Sequence, residues 1–321
     1  MSGPPMPRRR RRITAVSPQT GEPLPPALSR VLDSLPVTKS SAGAGDYERI
    51  AQISDPFELL RAATGRLGEA QQEVTELARL RRKVIQDLHA QGLSYAQIAE
   101  AAGLSRGRIH QIRHTGPAPE GAFLGTGAVT VITPLRSDDE TSRQLVALDD
   151  VTAGKRIEEL ARAFGLAVAS EHVGADGQID LNRPGLIVIC GPRMSAAMRA
   201  AYDSDPVIRW QRDSDGWALR DTATGTAYRS GADASPPSPQ DAAYLGRLPR
   251  PDGAGTFLAI AGIHPQGSLG VAHLLAADIS ALWGQAADGR FSVVVGTSYD
   301  PETHEPVRTE LLSPLYRHDH N

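Results

Sequence analysis

The sequence predicts two domains of different class: an N-terminal all-α helix-turn-helix domain and a C-terminal α/β domain with a mostly parallel sheet. Before residue 116, apolar residues recur at helical spacing, whereas after residue 127 short apolar runs alternate with helical segments. The chain has 321 residues, of which 40% are hydrophobic, so it is long and apolar enough to form both domains.

The predicted domain boundaries follow changes in composition along the chain. Residues 1–54 are rich in Pro, Ser, Gly and Arg, and we predict a disordered basic arm and linker there. Residues 55–116 form the predicted helix-turn-helix domain, and 117–126 form a linker rich in Gly and Pro. The predicted α/β domain occupies residues 127–321.

Charge is distributed unevenly between the two parts. Residues 1–120 carry 17 Lys and Arg against 12 Asp and Glu, whereas residues 121–321 carry 17 against 25. If the protein binds a polyanion, the N-terminal part is therefore the one that meets it. The densest basic segment, Arg8 to Arg12, either contacts DNA as a flexible arm or remains a solvated tail, and the sequence leaves both open.

Several classes of protein are excluded by composition. The single cysteine, Cys190, cannot form an internal disulfide or supply two zinc ligands. The longest apolar stretch, Gly185 to Cys190, is far shorter than the roughly 20 residues of a membrane helix. No apolar segment follows the N-terminal arginines as it does in a secretory signal. We therefore expect a soluble cytoplasmic protein with no membrane contact.

A long helix is predicted from Asp55 to about Gly92. Asp55 is a favoured N-cap residue, and Pro56 suits the first helical position. Five apolar residues then fall on one face of this helix: Leu67, Val74, Leu77, Val84 and Leu88. We favour packing of this seam on the helix-turn-helix itself, and pairing with a second copy of the chain in a homodimer stays open.

The segment from Leu93 to Ile112 predicts two short helices around a tight turn. Ser94 and Ser105 are candidate N-caps, and Gly103 suits the positive φ that the turn needs. The positions that such a motif buries carry small or apolar residues: Ile98, Ala99, Ala102, Leu104, Ile109 and Ile112. This is the pattern of a helix-turn-helix.

The string Leu104-Ser-Arg-Gly-Arg-Ile-His-Gln-Ile112 resembles the recognition helix in region 4 of bacterial sigma factors. The resemblance extends from about Gly65 to His114, and it implies that the second helix enters the major groove of duplex DNA. No upstream segment resembles the sigma-factor parts that bind polymerase and melt the promoter. We therefore predict a bacterial, sequence-specific transcription regulator that uses the DNA-reading unit alone.

The outward residues of the second helix form the predicted DNA interface: Ser105, Arg106, Arg108, His110, Gln111 and Arg113. Arg pairs with guanine and Gln with adenine through two hydrogen bonds each. Early helix positions reach base edges, so we predict base contacts from Arg106, His110 and Gln111 and phosphate contacts from the other three. The alternative is an ordinary helical hairpin with a solvated basic face.

Two turns mark a predicted ligand site in the C-terminal domain, and each follows a strand and precedes a helix. They span residues 190–195 and 261–270. In a parallel sheet both lie at the carboxyl edge, where ligands bind in open α/β folds, and helix N-termini there favour an anion. The predicted ligand-binding residues are Gly191, Arg193, Gly262, His264, Gly267 and Ser268.

The glycines of this site match no specific phosphate-binding motif, so the domain is only generically Rossmann-like. We predict that it senses a nucleotide or another phosphorylated small molecule, without a cofactor, a metal or catalytic residues. Cys190 is predicted to be a buried structural thiol. Two alternatives stay open: a nucleotide-processing enzyme that the helix-turn-helix tethers to DNA, and a protein-binding scaffold.

Overall fold

The structure is a computed structural model that describes residues 43–318, apart from 138–143, 146, 175 and 287–288. The chain divides into two compact units. Among the described residues, the first contains those from 43 to 68 and from 80 to 116, and the second contains those from 69 to 79 and from 117 to 318. The predicted disordered arm over residues 1–42 lies outside the described residues.

The first described element of the N-terminal unit is helix α1, Gly43–Ala51. This segment belongs to the predicted disordered linker, and that prediction is wrong here. Asp46 lies in the first turn and Arg49 in the last, an arrangement that complements the helix dipole. Asp46 also lies 3.5 Å from the guanidinium of Arg66, which ties α1 to the next helix.

Helix α2, Pro56–Ala90, begins as the sequence predicts. The carboxylate of Asp55 accepts a hydrogen bond from the Glu58 N–H at 2.8 Å, and Pro56 occupies the first position. The helix ends before Gly92, whose φ of +96° reverses the chain. Two shorter helices follow, α3 at Tyr95–Ala101 and α4 at Arg106–Thr115.

The predicted apolar seam of α2 is divided between two environments. Leu88 is buried against the helix-turn-helix, but Leu67, Val74 and Leu77 are 59%, 67% and 53% exposed. The two short helices cover only the last turns of α2. The prediction that the helix-turn-helix covers the seam is therefore wrong for its first half.

The described residues of the second unit form a large sheet, two small ones and three further α-helices. Its strands are β1 Ala128–Pro134, β2 Arg136–Ser137, β3 Gln144–Leu145, β4 Ala167–Val173, β5 Leu186–Ile189, β6 Ile208–Asp213, β7 Gly216–Asp221, β8 Ala227–Arg229, β9 Gln240–Pro249, β10 Thr256–Gly262, β11 Phe291–Tyr299, β12 Pro306–Leu311 and β13 Tyr316–Arg317. Its helices are α5 Leu148–Ala163, α6 Ala196–Tyr202 and α7 Pro265–Ala286. The α/β class predicted for this part of the chain is confirmed.

The large sheet has the strand order β12-β11-β9-β10-β5-β1-β4, and β13 also pairs with β11. Strands β4, β1, β5 and β10 run parallel, as predicted for most of the sheet. The other half is antiparallel, because β9 and β10 form one hairpin and β11 and β12 form another. The sheet thus changes from parallel to antiparallel between β10 and β9.

Helices and a small sheet cover the two faces of the large sheet. Ile157 of α5 and Leu275 of α7 belong to the core on one face. On the other face Met198 of α6 and Leu219 of β7 are buried. Strands β6, β7 and β8 form a separate antiparallel sheet.

The predicted linker at residues 117–126 instead packs into the core of the second unit. Pro119–Phe123 forms a 3₁₀ helix, and both Phe123 and Leu124 are buried. The Arg247 guanidinium donates to the Phe123 carbonyl at 2.7 Å. An apolar pair of this size is more stable in a core than in a solvated linker. No described helix is both long and apolar enough to cross a membrane.

Candidate nucleic-acid interface and ligand cleft

Two serines fix where the helices of the helix-turn-helix begin. The Ser94 N–H donates to the Gln97 side chain at 2.9 Å, and the Gln97 N–H donates back to the Ser94 hydroxyl at 3.3 Å. This reciprocal pair is a capping box. The Ser105 hydroxyl accepts from the Arg108 N–H at 3.1 Å and caps α4 with this single bond.

The turn between α3 and α4 depends on Gly103, whose φ is +65°. The Leu104 N–H then donates to the Ala99 carbonyl at 2.8 Å and closes the end of α3. Ala102, which the sequence predicts on the inner face, is exposed instead. The reason is that α3 ends at Ala101, so Ala102 already belongs to the turn.

A small apolar core holds the two helices in a fixed arrangement. Its buried members come from α2, α3 and α4: Ile85, Leu88, Ile98, Ala99, Ile109 and Ile112. Each fully buried Ile contributes about 1.5–3 kcal/mol relative to exposure. The side chains that face outward from α4 are therefore presented on a rigid support.

The six predicted DNA-binding residues all lie on the outer side of α4. All are exposed except Arg113, which is partly buried because its guanidinium lies 4.0 Å from the centre of the Tyr95 ring. Arg108 donates to the Gln111 side chain at 2.5 Å. The sequence from residue 101 to 119 contains no Asp or Glu, so nothing within this segment neutralises its three arginines.

These contacts determine which of the outward side chains are held by other residues of the chain and which are available to DNA. Tyr95 holds Arg113 at the end of the helix, a position suited to a phosphate contact. Arg106 stands in the first turn with no such contact to Tyr95, where base edges are reached. Gln111 must release Arg108 before its amide can pair with adenine.

In the second unit, the carboxyl ends of the parallel strands meet at one edge, as predicted from the order of strands and helices. Five of the predicted ligand residues line one cleft there: Gly191, Arg193, Gly262, His264 and Ser268. This cleft holds a cavity of only about 30 Å³. That is space for about one water molecule, so no nucleotide fits it without rearrangement.

The turn before α7 already has an anion, because the carboxylate of Asp241 occupies it. One carboxylate oxygen accepts from the His264 N–H at 2.9 Å and from the Gly267 N–H at 2.8 Å. Burial raises the pKa of Asp241 to about 6, against the hydrogen bond and charge of His264, which lower it. Asp241 is not among the predicted ligand-binding residues, because the sequence does not predict the strand that carries it.

Gly267 does not line the cleft, although the sequence predicts it as a ligand residue. A Cβ at this position would lie 2.5 Å from the Asp241 carboxylate and 2.9 Å from the Gly262 Cα. The glycine is therefore required by the packing of the turn itself. Gly191 is different, since a Cβ there would meet nothing within 4 Å.

A larger groove adjoins the cleft and shares Pro192 and Trp210 with it. It holds a cavity of about 380 Å³ and carries two tryptophans and two arginines: Trp210, Trp217, Arg199 and Arg212. The Trp210 and Trp217 rings are 6.0 Å apart in an edge-to-face arrangement. The Trp210 indole N–H has no hydrogen-bond partner among the described residues.

The cleft is poorly equipped for nucleophilic chemistry. Burial raises the pKa of the Cys190 thiol to about 12, so the reactive thiolate is scarce at neutral pH. The Ser268 hydroxyl accepts from the Gly262 N–H at 3.0 Å and closes the turn. His264 pairs with Asp233 at 2.9 Å, and a second pair joins His304 to Asp149 at 3.0 Å. The described residues contain no group of three metal-ligating side chains.

Comparison with known protein families identifies one match. Residues 69–116 match the family model described as Sigma-70, region 4. Comparisons with curated proteins and with solved structures find no match. The matched segment contains the second half of α2 together with α3 and α4. This part of the chain is a helix-turn-helix similar to sigma-factor region 4.

Proposed function

We propose that the protein is a sequence-specific DNA-binding transcription regulator of the bacterial cytoplasm, with α4 in the major groove of duplex DNA. The outer face of α4 carries this proposal. It presents three arginines without a carboxylate in its segment, on a buried isoleucine core, within the part that is similar to Sigma-70 region 4. Such a surface supplies both phosphate attraction and base contacts.

The test compares two arginines of α4 in the full chain. Preferred duplexes are first selected from a random pool, and affinities are then measured for the wild type, Arg106→Ala and Arg113→Ala. Arg106→Ala is expected to cost roughly 1–3 kcal/mol on the preferred site and to relax specificity at one base pair. Arg113→Ala is expected to weaken all sequences equally and to reduce the salt slope by about 0.9.

Arg81→Ala is the matched control, because Arg81 is exposed on α2 rather than on α4. Its affinity should stay within a factor of about two of wild type. If Arg106→Ala lowered the affinity for all DNA sequences equally, Arg106 would contact the phosphate backbone rather than a base. Full affinity in both α4 variants would leave an ordinary helical hairpin as the better account.

The basic run Arg8 to Arg12 forms part of the same proposal, as an arm along the phosphates. It lies outside the described residues, so its support is its charge alone. Binding constants are measured at several salt concentrations, and the logarithm of the constant is plotted against the logarithm of the salt concentration. Deletion of residues 1–12 should make the slope of this plot less steep by about 0.9 for each lost phosphate contact. An unchanged slope would identify the run as a solvated tail.

We further propose that the second unit senses a nucleotide, which the adjoining groove holds at the mouth of the cleft. Trp217 offers an aromatic face to a base, and Arg199 and Arg212 offer positive charge to phosphates. The Trp210 N–H, which no described residue accepts, supplies a donor at the boundary of the two cavities. The open space at Gly191 permits close approach of a ligand, whereas Asp241 already satisfies the turn at Gly267.

Thermal melting of the full chain against a panel of nucleotides and sugar phosphates tests this proposal. A ligand at 100 times its dissociation constant adds about 2.7 kcal/mol of stability. Gly191→Val should remove the shift without changing the unliganded melting point, because its side chain meets open space. Trp217→Ala should remove the shift for nucleotides and leave any shift for sugar phosphates. No shift across the panel would favour the scaffold, and turnover of a nucleotide would favour the tethered enzyme.

A further inference from the structure

Helix α2 carries an apolar stripe that no described residue covers. Leu60, Leu67, Val74 and Leu77 are each more than half exposed, with fractions from 53% to 67%. Contiguous exposed apolar surface of this kind marks an interaction site in a folded protein. The stripe lies on a single helix and needs a partner that matches a helix.

The stripe repeats every seven residues. Leu60, Leu67 and Val74 are spaced by seven, and Ala63, Ala70 and Leu77 form a second series with the same spacing. Successive members alternate by three and four residues, which is the a and d pattern of a coiled coil. A second α-helix therefore fits this face.

The other side of the same helix segment is already occupied by the second unit. Glu76 accepts from the Gly127 N–H at 3.0 Å, and Arg79 donates to the Phe164 carbonyl at 2.7 Å. Residues 69–79 thus make two kinds of surface. One side packs within the unit, and the heptad side remains uncovered.

We propose that the heptad stripe pairs antiparallel with the stripe of a second copy of this chain, about a two-fold axis between Gly68 and Glu69. In this register each Ala faces a larger residue. Leu67 meets the partner's Ala70, and Ala63 meets the partner's Val74. Leu60 meets the partner's Leu77 at the ends. Alternation of large and small side chains fills a helix–helix interface without voids.

The flanking residues agree with the antiparallel register. Arg66 faces the partner's Glu73, an opposite-charge pair that the two-fold axis repeats. Phe57, which is 75% exposed and lies off the stripe, faces the partner's Ala78. Leu80, which is 51% exposed, faces the partner's Leu59. All of the exposed large apolar residues of α2 acquire a partner in this way.

A parallel pair would satisfy these residues less well. Each Ala of the stripe would then meet its own copy, which leaves two hollow layers. Arg66 would face the partner's Gln71, and Glu73 would face the partner's Ala78, so no opposite-charge pair would join the two copies at these positions. The antiparallel register is the one that the side chains favour.

The proposed dimer extends the DNA-binding function and predicts the spacing of half-sites. Ala90, at the end of α2, lies roughly 32 Å along the helix from the two-fold axis, at 1.5 Å per residue. The two helix ends are then roughly 65 Å apart, close to two turns of B-DNA at about 34 Å each. Selected operators should contain inverted half-sites about two turns apart.

The oligomeric state is tested without DNA, so its failure is distinguishable from a failure of DNA binding. Sedimentation of the full chain at tens of micromolar should give twice the mass of one 34.2 kDa chain. Leu67→Glu and Val74→Glu should each raise the dimer dissociation constant at least about tenfold, since each buries two unpaired charges. Val307→Glu is the matched control, because Val307 is 72% exposed on β12 and should leave the dimer unchanged.

Cysteine cross-linking tests the register. The double variant Ala63→Cys/Val74→Cys should form a disulfide-linked dimer, whereas Ala63→Cys alone should not. The two positions are eleven residues apart on one helix, too far for a bond within one chain. The natural Cys190 is buried and does not compete. A monomeric wild type, a dimer unaffected by both glutamate variants, or cross-linking of Ala63→Cys alone would each overturn the proposal.

Discussion

The first turns of α4 and α7 differ in the group that accepts hydrogen bonds from their free backbone N–H groups. Both helices expose unpaired N–H groups in their first turn. At α4 the neutral hydroxyl of Ser105 takes one of them, and Arg106 and Arg108 stand exposed beside it. At α7 the buried carboxylate of Asp241 takes the Gly267 N–H from inside the protein.

This difference defines the condition under which a glycine-containing turn before a helix indicates a ligand site. The two turns have similar sequence patterns, yet only α4 leaves its positive end open to an external anion. At α7 the chain supplies its own anion, so the glycines there serve packing. A helix N-terminus is informative about function only after the internal acceptors have been located.

Gly267→Val should have the largest effect of the variants that test this comparison. Its Cβ would lie 2.5 Å from the Asp241 carboxylate and 3.1 Å from the Ala242 carbonyl, so the turn must move. Overpacking at such a site costs about 3 kcal/mol. Thermal denaturation of the full chain should show a lower melting point for the second unit.

Gly191→Ala is the control for that experiment, since its Cβ would have no neighbour within 4 Å. Its melting point should match the wild type. An unchanged melting point in Gly267→Val would mean that this turn is loosely packed. The distinction between the two helix starts would then have to be abandoned.

Asp241→Asn should have the next largest effect, and the effect depends on pH. Burial raises the pKa of Asp241 to about 6 in the folded chain. The protonated form is therefore favoured by folding, and its contribution is complete below about pH 4 and is lost as the pH rises through 6. Asn stays neutral and keeps an oxygen for both N–H groups, so it escapes this loss.

We expect Asp241→Asn to be more stable than the wild type by about 2–3 kcal/mol at pH 7, with the difference shrinking towards pH 4. Chemical denaturation of both proteins at several pH values measures it. Backbone hydrogen bonding from Thr303 lowers the pKa of Asp300 in both proteins. The stability from Asp300 therefore rises with pH, opposite to that from Asp241, and it cancels when the two proteins are compared. A difference independent of pH would show that Asp241 is ionised throughout.

Signals that lie close together in the chain predicted the helix-turn-helix well. Asp55, Ser94 and Ser105 each bond to an N–H three residues later, so their roles are visible in the sequence. Asp241 could not be predicted in this way, because it bonds to residues 23 and 26 positions away. Its strand β9 has charged residues near both ends of a buried apolar run. These charges are not typical of a central strand, although β9 lies inside the sheet.

The seam of α2 shows a second limit of sequence analysis. Apolar periodicity predicts that a helix face is buried. The pattern is the same whether that face packs against its own chain or against a second chain. Leu88 is covered by its own chain, and Leu67 is not. Nothing local in the sequence separates them, because the division depends on where the two short helices end.

Ser105→Ala sharpens the comparison at α4 with a smaller effect. The Arg108 N–H would lose its acceptor, which costs about 1 kcal/mol of stability for an N-cap serine. Ser105→Asp restores the acceptor but adds a negative charge where phosphate is expected. We therefore expect Ser105→Asp to regain stability in thermal melting and to bind DNA more weakly than Ser105→Ala. Equal DNA affinity of the two variants would place the start of α4 away from the phosphates.

Gly107→Ala should have the smallest effect on stability, and that effect should be favourable. Gly107 lies within α4, its φ is not in the left-handed region, and an added Cβ would meet only the Ser105 hydroxyl at 3.9 Å. Alanine should therefore stabilise the helix by about 0.5–1 kcal/mol. Gly107 is exposed between Arg106 and Arg108, so an added methyl group would stand between α4 and the DNA. We expect Gly107→Ala to raise the melting point and to lower the affinity for the preferred duplex. Higher affinity in step with higher stability would mean that this face of α4 stays clear of the groove.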